Sequence, residues 1–199
     1  MLRQLTTGDG TNFSFQRVAL RFESTVDYDI FTRKNNKSLA DTLVHPRYKG
    51  LMMEAAQFQQ FMHSPLGQFL AGLKRNGDPF YKRFLNKHGD ERFSVFLIDA
   101  PDFLTKKGIY AFYVGEELRY IGRCRDTMKQ RINQGYGKIH PKNCYIDGQS
   151  TNCHLNAKVT EAGHEVDLWL CPLESDDEII LAEAKLIGKF RPIWNVQVL

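Results

Sequence analysis

The feature that most constrains the fold of this chain is a pair of short apolar runs separated by a turn sequence. GIYAFYV (108–114) and LRYIG (118–122) flank Gly115-Glu116-Glu117, and two β-prone runs around a glycine-containing turn predict a β-hairpin. A three-residue loop would place Tyr110 and Tyr120 on the same face of the hairpin, whereas a two-residue loop would place them on opposite faces. The sequence leaves the loop length open.

A helix is predicted directly after the hairpin. It begins near Thr127, with Asp126 as the N-cap and with Met128 and Ile132 on its buried side. The glycine-containing loop GYGKIHPKN follows, and the alternation of EVDLWLCPL (165–173) predicts a third strand.

A second, well-capped helix is predicted near the end of the chain. Ser175 as N-cap and Glu178 at the third helical position form a capping box, and the helix reaches about Lys189. Its apolar stripe consists of Ile179, Ile180, Ala182, Leu186, Ile187 and Phe190. Glu183 lies within that stripe, and burying a carboxylate without a partner costs several kcal/mol. Periodicity therefore predicts either an ion pair with an Arg or Lys or a bound metal ion, and leaves both open.

The first hundred residues differ from the rest of the chain in their pattern of predicted helices and strands. The polar and proline-containing stretch at 100–107 predicts a boundary, and a strand is expected around residues 15–23. Residues 51–88 are mainly helical in pattern because good helix formers and apolar positions recur near every 3.6 residues. The run FSVFLID (93–99) has the β-branched and aromatic content of a buried strand.

Composition excludes several classes of protein. The 199 residues are 42% hydrophobic and 25% charged, which argues against a disordered tail, a fibre or a coiled-coil rod. No stretch approaches the roughly 18 consecutive apolar residues of a membrane span, and the first residues lack the apolar core of a secretory signal. We therefore expect a cytoplasmic protein that does not associate with membranes.

Charge is unevenly distributed, although the net charge is only +4. Residues 119–142 hold seven basic side chains against Asp126, and residues 161–183 hold eight acidic side chains and no Lys or Arg. Arg131, inside the basic block, borders the buried side of the first predicted helix. It either covers apolar surface with its stem or presents two donors to a phosphate.

Taken together, these residues resemble the GIY-YIG nuclease family. GIY (108–110) and YIG (120–122) are the two halves of the family signature, and Arg131 lies on the following helix. The motif E-x-x-L-I-x-x-x-x-P-x-x-N continues the resemblance through Glu183, Leu186, Ile187, Pro192 and Asn195. The match covers roughly residues 107–197, about half of the chain.

The resemblance implies an α+β fold. It consists of a compact GIY-YIG nuclease domain over residues 105–199, with a small, mostly antiparallel sheet flanked by helices. Before it comes a mainly helical region over residues 1–104, expected to recognise DNA.

The resemblance also implies hydrolysis of DNA phosphodiester bonds with one divalent metal ion. Tyr110 would activate or position the attacking water, Tyr120 would contact the scissile phosphate or the water, and Arg131 would stabilise developing charge. Glu183 would hold Mg²⁺, for which Mn²⁺ may substitute, and Asn195 would order the end of the site.

Two positions depart from the family pattern. Arg123 follows YIG where many members have lysine, and its charge is expected to favour the tyrosine phenolate. Arg131 lies eleven residues after Tyr120 rather than about ten, so the helix would start later or contain a one-residue adjustment.

Some relatives have a histidine or tyrosine four residues beyond the arginine. That position is Gly135 here, and Tyr136 is the first candidate to replace it, ahead of Lys138 and His140.

Other basic residues are candidates for contacts with double-stranded DNA. In the loop after the first helix these are Lys138, His140, Lys142 and Asn143, and in the first hundred residues they are Arg33, Lys34 and Lys37. The alternative for the first group is an ordinary long surface loop, and the alternative for the second group is ordinary surface charge.

No zinc site is expected. Cys144, Cys153, His154 and Cys171 are suitable ligand types, but their spacing is irregular and no close pair exists. We predict buried or loop thiols instead.

The main functional hypothesis is a site-specific endonuclease like the small GIY-YIG type II restriction enzymes. It implies a homodimer on DNA and a possible cognate methyltransferase acting on the same site. The alternative is a repair or phage nuclease that acts on branched or damaged DNA. A nucleic-acid-binding module without catalysis is the third hypothesis.

Overall fold

The computed structural model describes residues 1–195, except for the side chain of Ser24. The last two residues of the family match, 196 and 197, lie outside the described residues. The strands are β1 (Leu2–Thr6), β2 (Asn12–Val18), β3 (Leu20–Asp27), β4 (Phe93–Ile98), β5 (Gly108–Val114), β6 (Glu117–Cys124) and β7 (Val166–Pro172).

Most of the helices are short. The α-helices are α1 (Leu39–Leu43), α2 (Met52–Ala55), α3 (Leu66–Arg75), α4 (Pro101–Leu104), α5 (Ser150–Ala162) and α6 (Asp176–Phe190). A π-helix covers Lys129–Tyr136. Two of the 3₁₀ helices are Ile30–Arg33 and Pro141–Cys144. None of the helices within residues 1–195 has the length and apolar character needed to cross a membrane.

Five strands form one antiparallel sheet in the order β1-β2-β7-β5-β6, and β3 pairs with β4 in a two-stranded sheet. Strand β5 lies between β7 and β6, which explains why its sequence is apolar on both faces. Ile109, Ala111 and Ile121 form a core on one face together with Ile179, Ala182 and Leu186 of α6. The α+β fold expected from the sequence is confirmed.

The chain forms two compact units. The first contains residues 1–24, 94–138 and 158 onward, and the second contains residues 25–93 and 139–157. This division differs from the boundary expected at residues 104 and 105. The first strands belong to the large sheet because β2 pairs with β7, with Gln16 opposite Leu170, whereas residues 25–93 are mainly helical as expected.

Residues 139–157 form part of the core of the second unit rather than a simple surface loop. Ile139, Cys144, Tyr145 and Cys153 are buried there with the apolar side chains of residues 30–93. Helix α5 was not predicted because Asn152, His154 and Asn156 are buried polar side chains, which obscure an apolar period.

The remaining predicted elements are present with small differences. Ser175 caps α6 by accepting a hydrogen bond from the amide of Glu178 at 3.4 Å. The strand expected around residues 15–23 divides at Ala19 into β2 and β3. After the hairpin, the hydroxyl of Thr127 rather than Asp126 accepts from the amide of Gln130, at 3.2 Å.

Candidate active site

A β-bulge places Tyr110 and Tyr120 on the same face of the hairpin. Val114 pairs with Glu117, so the turn itself has two residues, yet Tyr110 pairs with Gly122 and Phe112 pairs with Tyr120. The register shifts between Phe112 and Tyr113, which leaves Arg119 as the additional residue. The rings of Tyr110 and Tyr120 stack with centroids 6.0 Å apart. A regular two-residue hairpin would have separated them.

Gly122, the last residue of YIG, makes room for this pair. A Cβ atom at Gly122 would lie 2.5 Å from Cζ and Oη of Tyr110 and 2.7 Å from Cε1 of Tyr120. These distances are shorter than any real contact of a Cβ atom, so a side chain here would displace the rings. The glycine of the signature is therefore required by the close approach of the tyrosines.

The π-helix brings Tyr136 to the tyrosine pair. The hydroxyl of Tyr136 lies 2.6 Å from that of Tyr110 in a hydrogen bond that either can donate. Arg131 forms side-chain hydrogen bonds to Tyr136 and to Cys124. A π-helical turn contains about one residue more than an α-helical turn. Tyr136, five residues after Arg131, therefore takes the position that the fourth residue would take on an α-helix. The structure thus brings the first-ranked candidate, Tyr136, to the site.

Glu183 lies beside the buried stripe of α6 and pairs with Arg123. Arg123 Nη1 lies 2.5 Å from Glu183 Oε2, and the side chains are 43% and 17% exposed. Burial raises the pKa of Glu183 above its usual value, while the charge of Arg123 opposes this shift. The buried stripe is narrower than the sequence predicted because Ile180 and Phe190 are exposed.

Both tyrosines on the shared face have raised pKa values. Tyr110 is 1% exposed and Tyr120 is 8% exposed, and burial raises the pKa of each phenol well above its ordinary value. The cation that opposes this shift at Tyr110 is Arg131. The expectation that Arg123 favours the phenolate is not met in this structure, because its guanidinium binds Glu183.

Asn195 completes the outer edge of the sheet. Its Oδ1 accepts a hydrogen bond from the amide of Ile121 at 3.0 Å, and its Nδ2 donates to the carbonyl of Ile121 at 2.7 Å. Because β6 is the edge strand, this amide satisfies backbone groups that would otherwise face solvent. Asn195 therefore holds the strand that carries Tyr120.

The residues present suit a magnesium ion held mainly by its substrate. Glu183 offers a half-buried carboxylate next to Arg123, and Mg²⁺ is commonly bound by one or two carboxylates together with water and substrate phosphate. Within residues 1–195, no cluster of three or more His, Cys, Asp or Glu side chains is placed to hold a metal ion. A single carboxylate fits a metal that arrives with the phosphate, and does not fit a closed structural site.

The four cysteines are buried thiols, as the sequence predicted. Cys144 and Cys153 are hydrogen-bonded to each other, and this bond, together with burial, raises the pKa of Cys153. Cys124 contacts Arg131, a contact that the sequence did not suggest.

The loop residues proposed to contact DNA fall in both units. Lys138 belongs to the first unit, and His140, Lys142 and Asn143 belong to the second. Lys138, His140 and Lys142 are exposed. The loop is anchored rather than free, because Asn86 Nδ2 donates to the carbonyl of Asn143 at 2.6 Å. Contact with DNA at these residues stays a prediction.

The other three candidates have different environments in the second unit. Arg33 is engaged in an ion pair, with Nη2 2.8 Å from Asp27 Oδ1. Lys37 is exposed. Lys34 is buried, with its ammonium group over the ring of Tyr145.

The α+β unit with its paired tyrosines defines the class of fold, but no family model and no solved structure matches the chain. The chain is similar to UvrABC system protein C of Rickettsia rickettsii (strain Sheila Smith), Rickettsia africae (strain ESF-5) and Rickettsia canadensis (strain McKiel), at 28% identity over 109 residues in each case. The match covers 54% of this chain and 14% of each relative. The chain therefore spans about 14% of the length of these relatives.

Proposed function

We propose that this chain is a metal-dependent endonuclease of the GIY-YIG type that hydrolyses DNA phosphodiester bonds. The observation that carries the proposal is the convergence of Tyr110, Tyr120, Tyr136 and Arg131. Three phenols and one guanidinium meet on one face of the hairpin, joined by the 2.6 Å bond between Tyr110 and Tyr136. Buried donors of this kind suit an anionic transition state more than they suit core packing alone.

The proposed chemistry assigns a different task to each side chain. Arg131 donates to the phosphoryl oxygens as negative charge develops on them. Burial keeps the hydroxyl of Tyr110 protonated, so it orients the attacking water by hydrogen bonding and does not accept its proton, and Tyr136 holds that hydroxyl in place. Tyr120, the more exposed of the stacked pair, contacts the phosphate or the water.

Glu183 is the residue proposed to hold Mg²⁺ or Mn²⁺. The bound metal would supply Lewis-acid polarisation of the phosphoryl group and stabilisation of the leaving oxygen. Arg123 contributes by orienting the Glu183 carboxylate and keeping it ionised through the ion pair.

Similarity to UvrABC system protein C favours a nuclease that acts in DNA repair. We therefore propose branched or damaged DNA as the substrate, which was the alternative hypothesis from the sequence. Because the chain spans only 14% of the length of the relatives, their partners are not transferred to it.

Site-specific, restriction-type cleavage is the second candidate. It is favoured by one observation, a separate compact unit that carries exposed basic residues such as Lys37 and Lys142 and that would serve recognition. This candidate alone requires the homodimer on DNA and the cognate methyltransferase.

A digestion experiment separates the two candidates. Intact plasmid, ultraviolet-irradiated plasmid and a branched oligonucleotide duplex are incubated with the protein and Mg²⁺, and the ends are mapped. The repair proposal predicts cleavage at junctions or lesions at least tenfold faster than cleavage of intact plasmid. Discrete fragments from intact plasmid would instead support restriction-type cleavage, and uncut DNA in all three would contradict nuclease function.

A further inference from the structure

The second unit contains a buried lysine without a hydrogen-bonding acceptor. Lys34 is 8% exposed, and its Nζ lies 4.1 Å from the centroid of the Tyr145 ring. Within residues 1–195, no carboxylate lies within ion-pair distance of this ammonium group and no oxygen accepts a hydrogen bond from it. Lysine is almost never buried unless it is paired, because desolvating its charge is costly.

The backbone around Lys34 is held firmly in place. The carbonyl of Lys34 accepts from the amide of Gly67 at 2.9 Å, and the carbonyl of Lys37 accepts from the amide of Leu66 at 2.9 Å. A Cβ atom at Gly67 would collide with the carbonyl oxygen of Thr32. The segment therefore packs directly on the start of α3.

The ring below the ammonium group is fixed as well. The hydroxyl of Tyr145 donates to the carbonyl of Phe31 at 2.9 Å, which joins the segment after Pro141–Cys144 to the 3₁₀ turn Ile30–Arg33. Lys34 is thus positioned by contacts on both sides and is not a surface side chain that has folded back by chance.

Positive charge accumulates at this point. Burial is the main cause that lowers the pKa of Lys34, and Lys37 and Lys142 lower it further. Asp147 opposes the shift, but its carboxylate already accepts a hydrogen bond from the hydroxyl of Tyr48. Lys34 and Lys142 therefore share the carboxylate of Asp147, and Lys37 interacts with the carboxylate of Asp41.

We propose that Lys34, Lys37 and Lys142 form a lysine clamp that binds a backbone phosphate of duplex DNA. The proposal rests on the proposed function, since it names a DNA contact outside the catalytic side chains. Lysine binds phosphate as a point charge without reading bases, so the clamp would contribute affinity that does not depend on sequence. Since solvent reaches the ammonium nitrogen, which has no acceptor among residues 1–195, a phosphate can approach it there.

The test is a binding measurement without metal. Fluorescence anisotropy of a labelled 30-base-pair duplex is measured in EDTA over a series of KCl concentrations, for the wild type and for Lys34→Met. Loss of one phosphate contact predicts a salt slope smaller in magnitude by about 1 and an affinity roughly tenfold weaker near 0.1 M salt. Lys82→Met is the matched control, because Lys82 also lies over a tyrosine ring, that of Tyr81 at 5.9 Å, but is exposed.

Folding and the source of the phosphate are controlled separately. If circular dichroism shows that Lys34→Met is unfolded, the exposed Lys37→Met and Lys142→Met variants replace it, with the same expected change in slope. A folded Lys34→Met variant that behaves like Lys82→Met would overturn the clamp. So would thermal stabilisation by 10 mM inorganic phosphate that depends on Lys34 while duplex binding does not, because the site would then belong to a free anion.

The clamp and the nuclease can fail independently. A protein whose salt slope depends on Lys34 but which never cuts DNA in Mg²⁺ would keep the clamp and lose the proposed function. A protein that cuts DNA with a slope that is insensitive to all three lysines would lose only the clamp.

Discussion

At the scale of single residues, the hydroxyl of Tyr110 can be removed while its ring is kept. Tyr110→Phe leaves the stacking with Tyr120 intact and removes the hydroxyl that bonds to Tyr136 and interacts with the hydroxyl of Tyr120. We expect single-turnover DNA cleavage to slow by roughly 100- to 1,000-fold, the usual cost of removing one preorganised hydrogen-bond donor. Unfolding in urea should show a loss of only about 1 kcal/mol, because Tyr136 keeps its bond to Arg131. Cleavage within threefold of wild type would remove Tyr110 from the chemistry.

Gly122 gives a second prediction at this scale. Gly122→Ala places a Cβ atom 2.5 Å from the ring of Tyr110, and overpacking of this kind costs about 1–3 kcal/mol. Gly188→Ala is the matched control, because an added Cβ on this exposed residue of α6 would meet nothing within 4 Å. It should raise the free energy of unfolding by about 0.5–1 kcal/mol. Equal effects in the two variants, measured by urea denaturation, would show that the close approach is not needed for stability.

The sequence predicted many of these residues but not their environments. The resemblance to the family led to Tyr110, Arg131 and Glu183, and it ranked Tyr136 first as a substitute. An ion pair of Glu183 with an Arg or Lys was one of the two predicted alternatives, but Arg123 was not identified as the partner, because the pairing depends on how α6 packs beside β6. The burial of Lys34 was not predictable either, since Tyr145 is more than one hundred residues away in the chain.

At the scale of elements, one residue decides the geometry of the hairpin. Deleting Arg119 would remove the bulge but leave Phe112 opposite Tyr120, so Tyr110 and Tyr120 would stay on one face of a regular two-residue hairpin. We expect the deletion variant to keep DNA cleavage and to lose about 1 kcal/mol of unfolding free energy, because the carbonyl that accepts from the amide of Trp194 is lost with Arg119. Arg119→Ala is the control, because it keeps the bulge and the backbone carbonyl that accepts from the amide of Trp194 at 2.9 Å. A folded deletion variant that no longer cuts DNA, or one that is as stable as Arg119→Ala, would contradict this geometry.

The local spacing of apolar residues predicted the hairpin, β4, β7 and α6, because each of these elements shows a recognisable apolar pattern between residues that begin and end it. It could not decide the loop length, since a bulge changes the register without any change in apolar period. It also missed that β2 completes the sheet, because the pairing of Gln16 with Leu170 is a long-range contact. The sequence did not predict a π-helix; it predicted only that the helix after the hairpin would start later or contain a one-residue adjustment.

At the scale of the whole molecule, the buried phenols predict that the free energy of unfolding falls at alkaline pH. Burial raises the pKa of Tyr48, Tyr110, Tyr120 and Tyr145, whereas phenols in the unfolded chain ionise near pH 10. Their contribution is complete below pH 10 and is lost as the pH rises toward their folded values, by up to about 1.4 kcal/mol per pH unit for each phenol.

Urea denaturation at pH 8 and pH 10.5 checks this dependence. The free energy of unfolding should be lower at pH 10.5 than at pH 8. In Tyr145→Phe the decrease should be smaller by the contribution of one phenol. A free energy that stays constant over this range would contradict the burial of these side chains.

Metal-dependent cleavage of DNA at a site built on Glu183 is tested by comparing the wild type with two variants. Cleavage of a branched or irradiated duplex is followed in Mg²⁺ and in EDTA for the wild type, Glu183→Ala and Asp177→Ala, the last being an exposed acid near the start of the same helix. A metal site at Glu183 predicts cleavage only with Mg²⁺, at least a thousandfold loss in Glu183→Ala, and near wild-type rates in Asp177→Ala. Cleavage in EDTA, or undiminished cleavage by Glu183→Ala, would contradict it.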